Sequence, residues 1–172
     1  MSARRTVSIA IASLFGCAAI ASADPARPPR LLFNTTASAP IGLYVVAPGR
    51  FVPGDLVAVS PPPHLQRWLA ARRYLPANVP LLKIVAAAQG RQVCGVDGGL
   101  YIDGRRRATA KPRDRLGRRL PVFTGCRRLG AGEVFLLNAD APDSLDSRYF
   151  GPIPQKGVIG RARAVWTWAA RS

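Results

Sequence analysis

The chain has 172 residues, 48% of them hydrophobic and 20% charged, which is enough for one domain with a core and too apolar for a disordered polymer. Its formal charge of +16, from 25 Lys+Arg against 9 Asp+Glu, favours an anionic partner such as acidic lipid headgroups or nucleic acid. The only histidine is His64, so a His-based triad would have to use it and a zinc site would rest almost wholly on Cys and carboxylates; no metal or organic cofactor is expected.

Arg4 and Arg5 precede an uncharged apolar run from Thr6 to Ala23, closed by Ala21-Ser22-Ala23 and Asp24. That order reads as an export signal, and positive charge on its N-terminal side holds that end in the cytoplasm and sends the rest outward. The run sits at the short end of what spans a bilayer and also carries a small-x-small cleavage pattern, so residues 1–23 are either a retained anchor or a removed signal peptide. Residues 24–30 are polar and proline-rich and suit a stiff linker; the folded domain is expected over 31–172. Cys17 lies inside the apolar run, whereas Cys94 and Cys126 fall in the exported body, where an oxidising space permits a disulfide. Two separate buried thiols are the alternative, since sequence gives no distance between them.

From Leu31 onward, short apolar stretches bounded by Pro and Gly predict strands at Gly42–Val46, Leu56–Ser60, Leu81–Ala87, Gln92–Val96, Leu100–Ile102 and Val134–Leu137. His64–Tyr74 places Leu65, Trp68 and Leu69 at helical spacing after three prolines, which predicts one short amphipathic helix packed on the sheet. Between Arg105 and Arg119 a basic run with Pro112 and Gly117 predicts an exposed loop or hairpin arm, either simply solvated or touching anionic phospholipid. Nucleic acid is not expected as a partner, because no helix-turn-helix, zinc-finger or base-stacking pattern accompanies the charge.

Two islands offer chemistry on their own terms. Ser38 lies between small residues just before Pro40, where a turn presents a hydroxyl with little cover. Lys83 is flanked by Leu81-Leu82 and Ile84-Val85, so a strand that buries its side chain would strip the ammonium of water and push it toward the neutral amine. A neutral amine beside a serine hydroxyl can accept its proton, and this needs no histidine. The alternative is a strand lysine that points to solvent.

A third island, Asp143-Ser144-Leu145-Asp146-Ser147-Arg148-Tyr149-Phe150-Gly151, completes an ordered set. Ser38-Ala39-Pro40, then Lys83-Ile84-Val85, then this box resemble the signal peptidase I family. Ser38, Pro40, Gly42 and Tyr44, with Gly125-Cys126-Arg127, look like its conjugative-transfer branch typified by TraF. The resemblance implies Ser38 as nucleophile and Lys83 as general base. It also implies Ser144 as a hydroxyl that orients the lysine, and Asp146 with Arg148 as a buried pair holding the site. For the oxyanion it points to the Ser38 N–H, and to the Thr36 hydroxyl only by analogy with enzymes whose proline is spaced differently. The implied fold is mainly β, with coiled antiparallel sheets, one short helix and an N-terminal membrane or signal segment. The implied location is the bacterial inner membrane with the catalytic domain in the periplasm, or the periplasm itself if the segment is cleaved.

The function expected on this basis is cleavage of the signal or leader peptide of a conjugative pilin precursor through an acyl-enzyme, with the same residues able to serve cyclisation of the pilin. The competing reading is a non-catalytic envelope component of a conjugation or secretion apparatus, for which Ser38→Ala would be silent.

Overall fold

The structure, a computed structural model, describes residues 31–168. The expected anchor or signal at 1–23, with Cys17, and the linker at 24–30 lie outside the described residues. Among the described residues no helix is long and apolar enough to cross a membrane.

Strands β1 (Leu31–Asn34), β2 (Ile41–Ala47), β3 (Leu56–Val59), β4 (Leu81–Ala88), β9 (Glu133–Leu137), β10 (Ile153–Pro154) and β11 (Val158–Trp168) form one antiparallel sheet in the order β1-β2-β11-β3-β4-β9-β10. Strands β5 (Gln92–Val96), β6 (Gly99–Ile102), β7 (Arg105–Thr109) and β8 (Gly125–Arg128) form a smaller antiparallel sheet, β7-β6-β5-β8. The chain passes from the large sheet to the small one at Gly90, whose φ of 84° favours glycine. Cys94 and Cys126 face each other across β5 and β8 and are joined by a disulfide, S–S 2.10 Å.

Alternation decides which side chains go inward. In β2 it sends Tyr44 and Val46 into a core with Ala58, Leu82 and Ala162; in β3, Val57 and Val59 enter a second with Val85, Val134, Leu136 and Ile153. Phe135 and Leu137 of β9 pack with Val93, Leu100 and Ile102 of the small sheet, binding the two sheets together.

Helix α1 spans Pro63–Ala71, with proline at its start and Leu65 and Leu69 buried. It stops short of the expected Tyr74 because Arg73 turns left-handed at φ 57°. Beyond the single helix expected there is a second, the four-residue α2 (Ser147–Phe150), started by Asp146, whose side chain accepts the Arg148 N–H as an N-cap. Of the two forms expected of the basic run, its first residues take the hairpin arm, forming β7 antiparallel to β6. β11, with no counterpart among the expected strands, threads between β2 and β3.

Candidate functional site

Ser38 lies half-buried in the turn between β1 and β2, and side chains on both flanks fix that turn. Asn34 accepts from the Thr36 N–H at 3.1 Å and from the Thr36 hydroxyl at 2.9 Å, while its amide nitrogen faces the carbonyls of Thr36, Ala39 and Pro40 at 2.9, 3.0 and 3.0 Å. Tyr44, buried in β2, donates to the Pro40 carbonyl at 2.6 Å. The spacing of Ser38, Pro40, Gly42 and Tyr44 thus has a mechanical meaning: the tyrosine reaches back along its own strand to hold the turn. Thr36 Oγ1 and Ser38 Oγ are 3.2 Å apart. Because the Thr36 proton goes to Asn34, the Ser38 hydroxyl is the donor in that contact. In this structure the Thr36 hydroxyl is thus used within the turn, beside the Ser38 hydroxyl.

Lys83 lies on β4 opposite Val57 of β3 and is only 2% exposed. It shares the inward face with Val57 and Val85, so nothing on the strand rehydrates its ammonium. Burial pushes Lys83 down to about 8; the Asp146 carboxylate opposes that shift and the Arg148 guanidinium adds to it. At pH 7 roughly a tenth of such a group is free amine, against about one part in three thousand for an ordinary lysine. Its Nζ donates to Ser144 Oγ at 2.7 Å, so the lysine is neither solvent-facing nor unpaired.

Ser144 comes from the segment after β9, which an ion pair holds in place. Arg148 donates to both carboxylate oxygens of Asp146, through Nε at 2.9 Å and Nη2 at 2.8 Å. Nη2 also meets the carbonyls of Asn138, Ala141 and Ser144 at 3.1, 2.8 and 3.3 Å. Both members are almost wholly buried, and a buried pair keeps its place only when its remaining hydrogen-bonding capacity is met in this way. Ser147 adds a staple, accepting the Leu136 N–H at 2.9 Å.

Lys83, Ser144, Asp146 and Arg148 are thus in one hydrogen-bonded cluster, and Ser38 is joined to it through a residue that sequence reasoning missed. Asn138, just past β9, donates from Nδ2 to the Ser38 carbonyl at 2.5 Å and to the Leu82 carbonyl at 3.1 Å. Asn34 was likewise given no role. Each asparagine stands at a strand end, where the residue type ordinarily signals a turn and nothing more, so sequence carried no signal to single them out.

The basic run is tied to the same segment. Lys111 and Arg115 both pair with Asp143, at 2.6 and 2.7 Å, and hold its carboxyl below the usual range. The Lys111 N–H donates to the Tyr149 hydroxyl at 3.0 Å. His64 is exposed on α1 and takes no part in this cluster.

The family model for signal peptidase, peptidase S26, matches residues 4–168. The chain belongs to the peptidase S26 family. Within it the chain is TraF-like. It is 38% identical over 148 residues to the conjugal transfer protein TraF of Agrobacterium fabrum, covering 78% of this chain and 81% of that protein. It is 33% identical over 146 residues to a plasmid transfer protein TraF of Escherichia coli, covering 78% and 82%. A crystal structure of a signal peptidase I from Enterococcus faecalis aligns at 19% identity over 67% of this chain and 98% of that one, with a TM-score of 0.41, a likeness too slight to carry argument. For a peptidase S26 member, the clustering of Lys83 with Ser144 and the tying of the Ser38 turn to the same segment are the features that bear on chemistry.

Proposed function

We propose that the chain is a serine endopeptidase of the bacterial envelope that cleaves the leader peptide of a conjugative pilin precursor, with Ser38 as nucleophile and Lys83 as general base. The observation that carries this reading is Lys83: a strand lysine, 2% exposed, lowered to about 8 and oriented by Ser144. A buried amine poised near neutral pH suits proton transfer and is costly to keep for structure alone.

In this mechanism Ser38 Oγ turns from Thr36 toward the lysine, attacks the scissile carbonyl and gives its proton to the Lys83 amine. The Ser38 N–H supports the oxyanion. Collapse of the tetrahedral intermediate breaks the peptide bond as Lys83 returns the proton to the leaving amine, which leaves an acyl-enzyme. Water activated by Lys83 then releases the acid; where the cut falls instead before a C-terminal segment of the pilin, the acyl group held on Ser38 is the pilin's own, the segment leaves as the amine, and attack by the pilin's amino terminus gives a cyclic product.

The inner membrane is the second proposed partner, with the domain on its periplasmic side. Leu31, Phe33, Val165, Trp166 and Trp168 are exposed on β1 and β11, Trp166 at 65%, and Trp168 packs against both Phe33 and Trp166 with the ring planes tilted at 52° and 55°. Indole rings suit the headgroup level of a bilayer, and β1 begins where the expected anchor and linker end. The basic run offers a second surface for anionic headgroups through Arg105, Arg106 and Arg107, exposed on β7, whereas its Lys111 and Arg115 pair with Asp143.

The test is co-expression with a candidate pilin precursor, followed by intact mass of the product for wild type, Ser38→Ala and Lys83→Ala. Processing lost in both variants, with each still folded, is the expected result, and a product lighter by one water identifies cyclisation. Unchanged processing in either variant removes that residue from the mechanism and favours the non-catalytic envelope reading.

A further inference from the structure

We propose that Asn138 is the positioning residue that sets Ser38 against Lys83. The inference rests on the Ser38–Lys83 reading above and concerns how that pair is held. The last β4–β9 rung joins Ile84 to Leu137, after which the chain leaves the sheet for the turn that carries Ser144 and Asp146. The departure would leave the β4 backbone around Lys83 without a partner on that side.

The Asn138 carboxamide supplies the missing rung. Its Oδ1 accepts the Ile84 N–H at 3.1 Å, and its Nδ2 donates to the Leu82 carbonyl at 3.1 Å. These two bonds bracket Lys83 on either side along the main chain. The second Nδ2 hydrogen reaches the Ser38 carbonyl at 2.5 Å.

The main chain of the same residue is fixed as well, its N–H donating to Asp146 Oδ2 at 3.1 Å and its carbonyl accepting from Arg148 Nη2 at 3.1 Å. One residue, 5% exposed, is therefore bonded to the serine turn, to the lysine strand on both sides and to the ion pair behind Ser144.

The chemistry is specific to a primary amide. Ile84 offers a donor, whereas Leu82 and Ser38 offer acceptors, so the site needs one acceptor and two donors in a plane, which is the inventory of an asparagine side chain in one orientation. An aspartate of the same shape keeps the acceptor for Ile84 and loses both donors. It would also set a carboxylate against two carbonyl oxygens and bring negative charge toward Lys83. Alanine leaves the Ile84 N–H and the carbonyls of Leu82 and Ser38 unpaired, the Leu82 group in a buried setting, and lets the Ser38 turn drift from β4. A displacement of about 1 Å between reacting groups is worth on the order of a hundredfold in rate.

The test uses the protein with p-nitrophenyl acetate as acylating probe, the acetyl adduct on Ser38 being confirmed by intact mass. Wild type, Asn138→Ala, Asn138→Asp, Ser38→Ala and Lys83→Ala are compared across a pH series below each variant's unfolding midpoint. The expected result for both Asn138 variants is a limiting acylation rate lower by about a hundredfold, with little change in half-saturation. The apparent pKa of the rate should move up from the wild-type value toward that of free lysine, because water or negative charge then reaches the amine. A purely structural residue would lower the midpoint and leave both the rate of the folded protein and its pH profile in place, and that result overturns the proposal. Failure of both variants to fold overturns it too, by assigning Asn138 to folding. If Ser38→Ala and Lys83→Ala acylate like wild type, the proposed function has failed; if those two are dead and the Asn138 variants are normal, only this inference has.

Discussion

A lysine buried among valines carries a cost that depends on pH, and this gives Lys83 a signature independent of any substrate. Its pKa falls from the ordinary 10.5 to about 8 on folding. Below that range both the folded and unfolded chains hold the proton, so the cost of keeping the charge buried is constant. Between the two values the unfolded chain binds one more proton than the folded one, so stability rises with pH, and the gain over the whole window is about 3 kcal/mol. Lys83→Met lacks that titration. Urea unfolding of wild type and variant across the window should therefore show wild type gaining on the variant from about pH 8 upward, at close to 1.4 kcal/mol per pH unit. A difference flat across that range would mean that Lys83 is hydrated in the folded protein. The lysine could be singled out in the sequence because its neighbours are apolar on both sides. Asn138 could not, since what distinguishes it is the set of backbone groups that distant parts of the chain leave unpaired beside it; Asn34 bonds only within its own turn, where an asparagine is the ordinary turn residue.

At the scale of the element, the turn that holds Ser38 depends on the seam between β2 and β11. The register slips between Ala164 and Trp166, which makes a bulge, and Gly42 sits against it with φ of 146°. A Cβ there would lie 2.1 Å from the Trp166 carbonyl oxygen, so Gly42→Ala has neither the space nor the backbone conformation it needs. The expected loss is about 3 kcal/mol or more, read as a lower thermal midpoint, with the Ser38 turn released from Tyr44 as the seam opens. Retention of both midpoint and processing would show that this seam does not support the turn. Strands β2 to β6 and β9 show in the sequence because large apolar residues alternate or run together in them. β11 lies inside the sheet yet escapes that pattern: its inward residues include Gly160 and Ala162, kept small by the Ala47 backbone and the neighbouring strands, while its tryptophans face outward. The Asp97-Gly98 and Asp103-Gly104 pairs, all at positive φ, are by contrast a direct sequence signal for the tight hairpins that build the small sheet.

For the whole molecule, the small sheet matters to the extent that it takes part in the chemistry proposed for the large one. The Ser38 turn, Lys83 and the segment after β9 all belong to the large sheet, and no residue type in the sequence announces that order of strands, because β11 must return from the end of the chain to lie between β2 and β3. The small sheet is closed by Cys94–Cys126, whose loop contains the basic run. That run reaches back through Lys111 and Arg115 to Asp143, and the Phe123 N–H donates to the Arg148 carbonyl at 2.8 Å. The ion pairs are partly exposed and contribute little each, so the arm lends the site support at its margin. The disulfide, by restricting the unfolded chain, is expected to contribute about 2–4 kcal/mol. A Cys94→Ala/Cys126→Ala double variant should accordingly unfold at lower denaturant. Below its own midpoint it should process substrate, and titrate, as wild type does. Loss of processing in the folded double variant would mean that the small sheet shapes the site directly, and the division of labour between the two sheets would have to be abandoned.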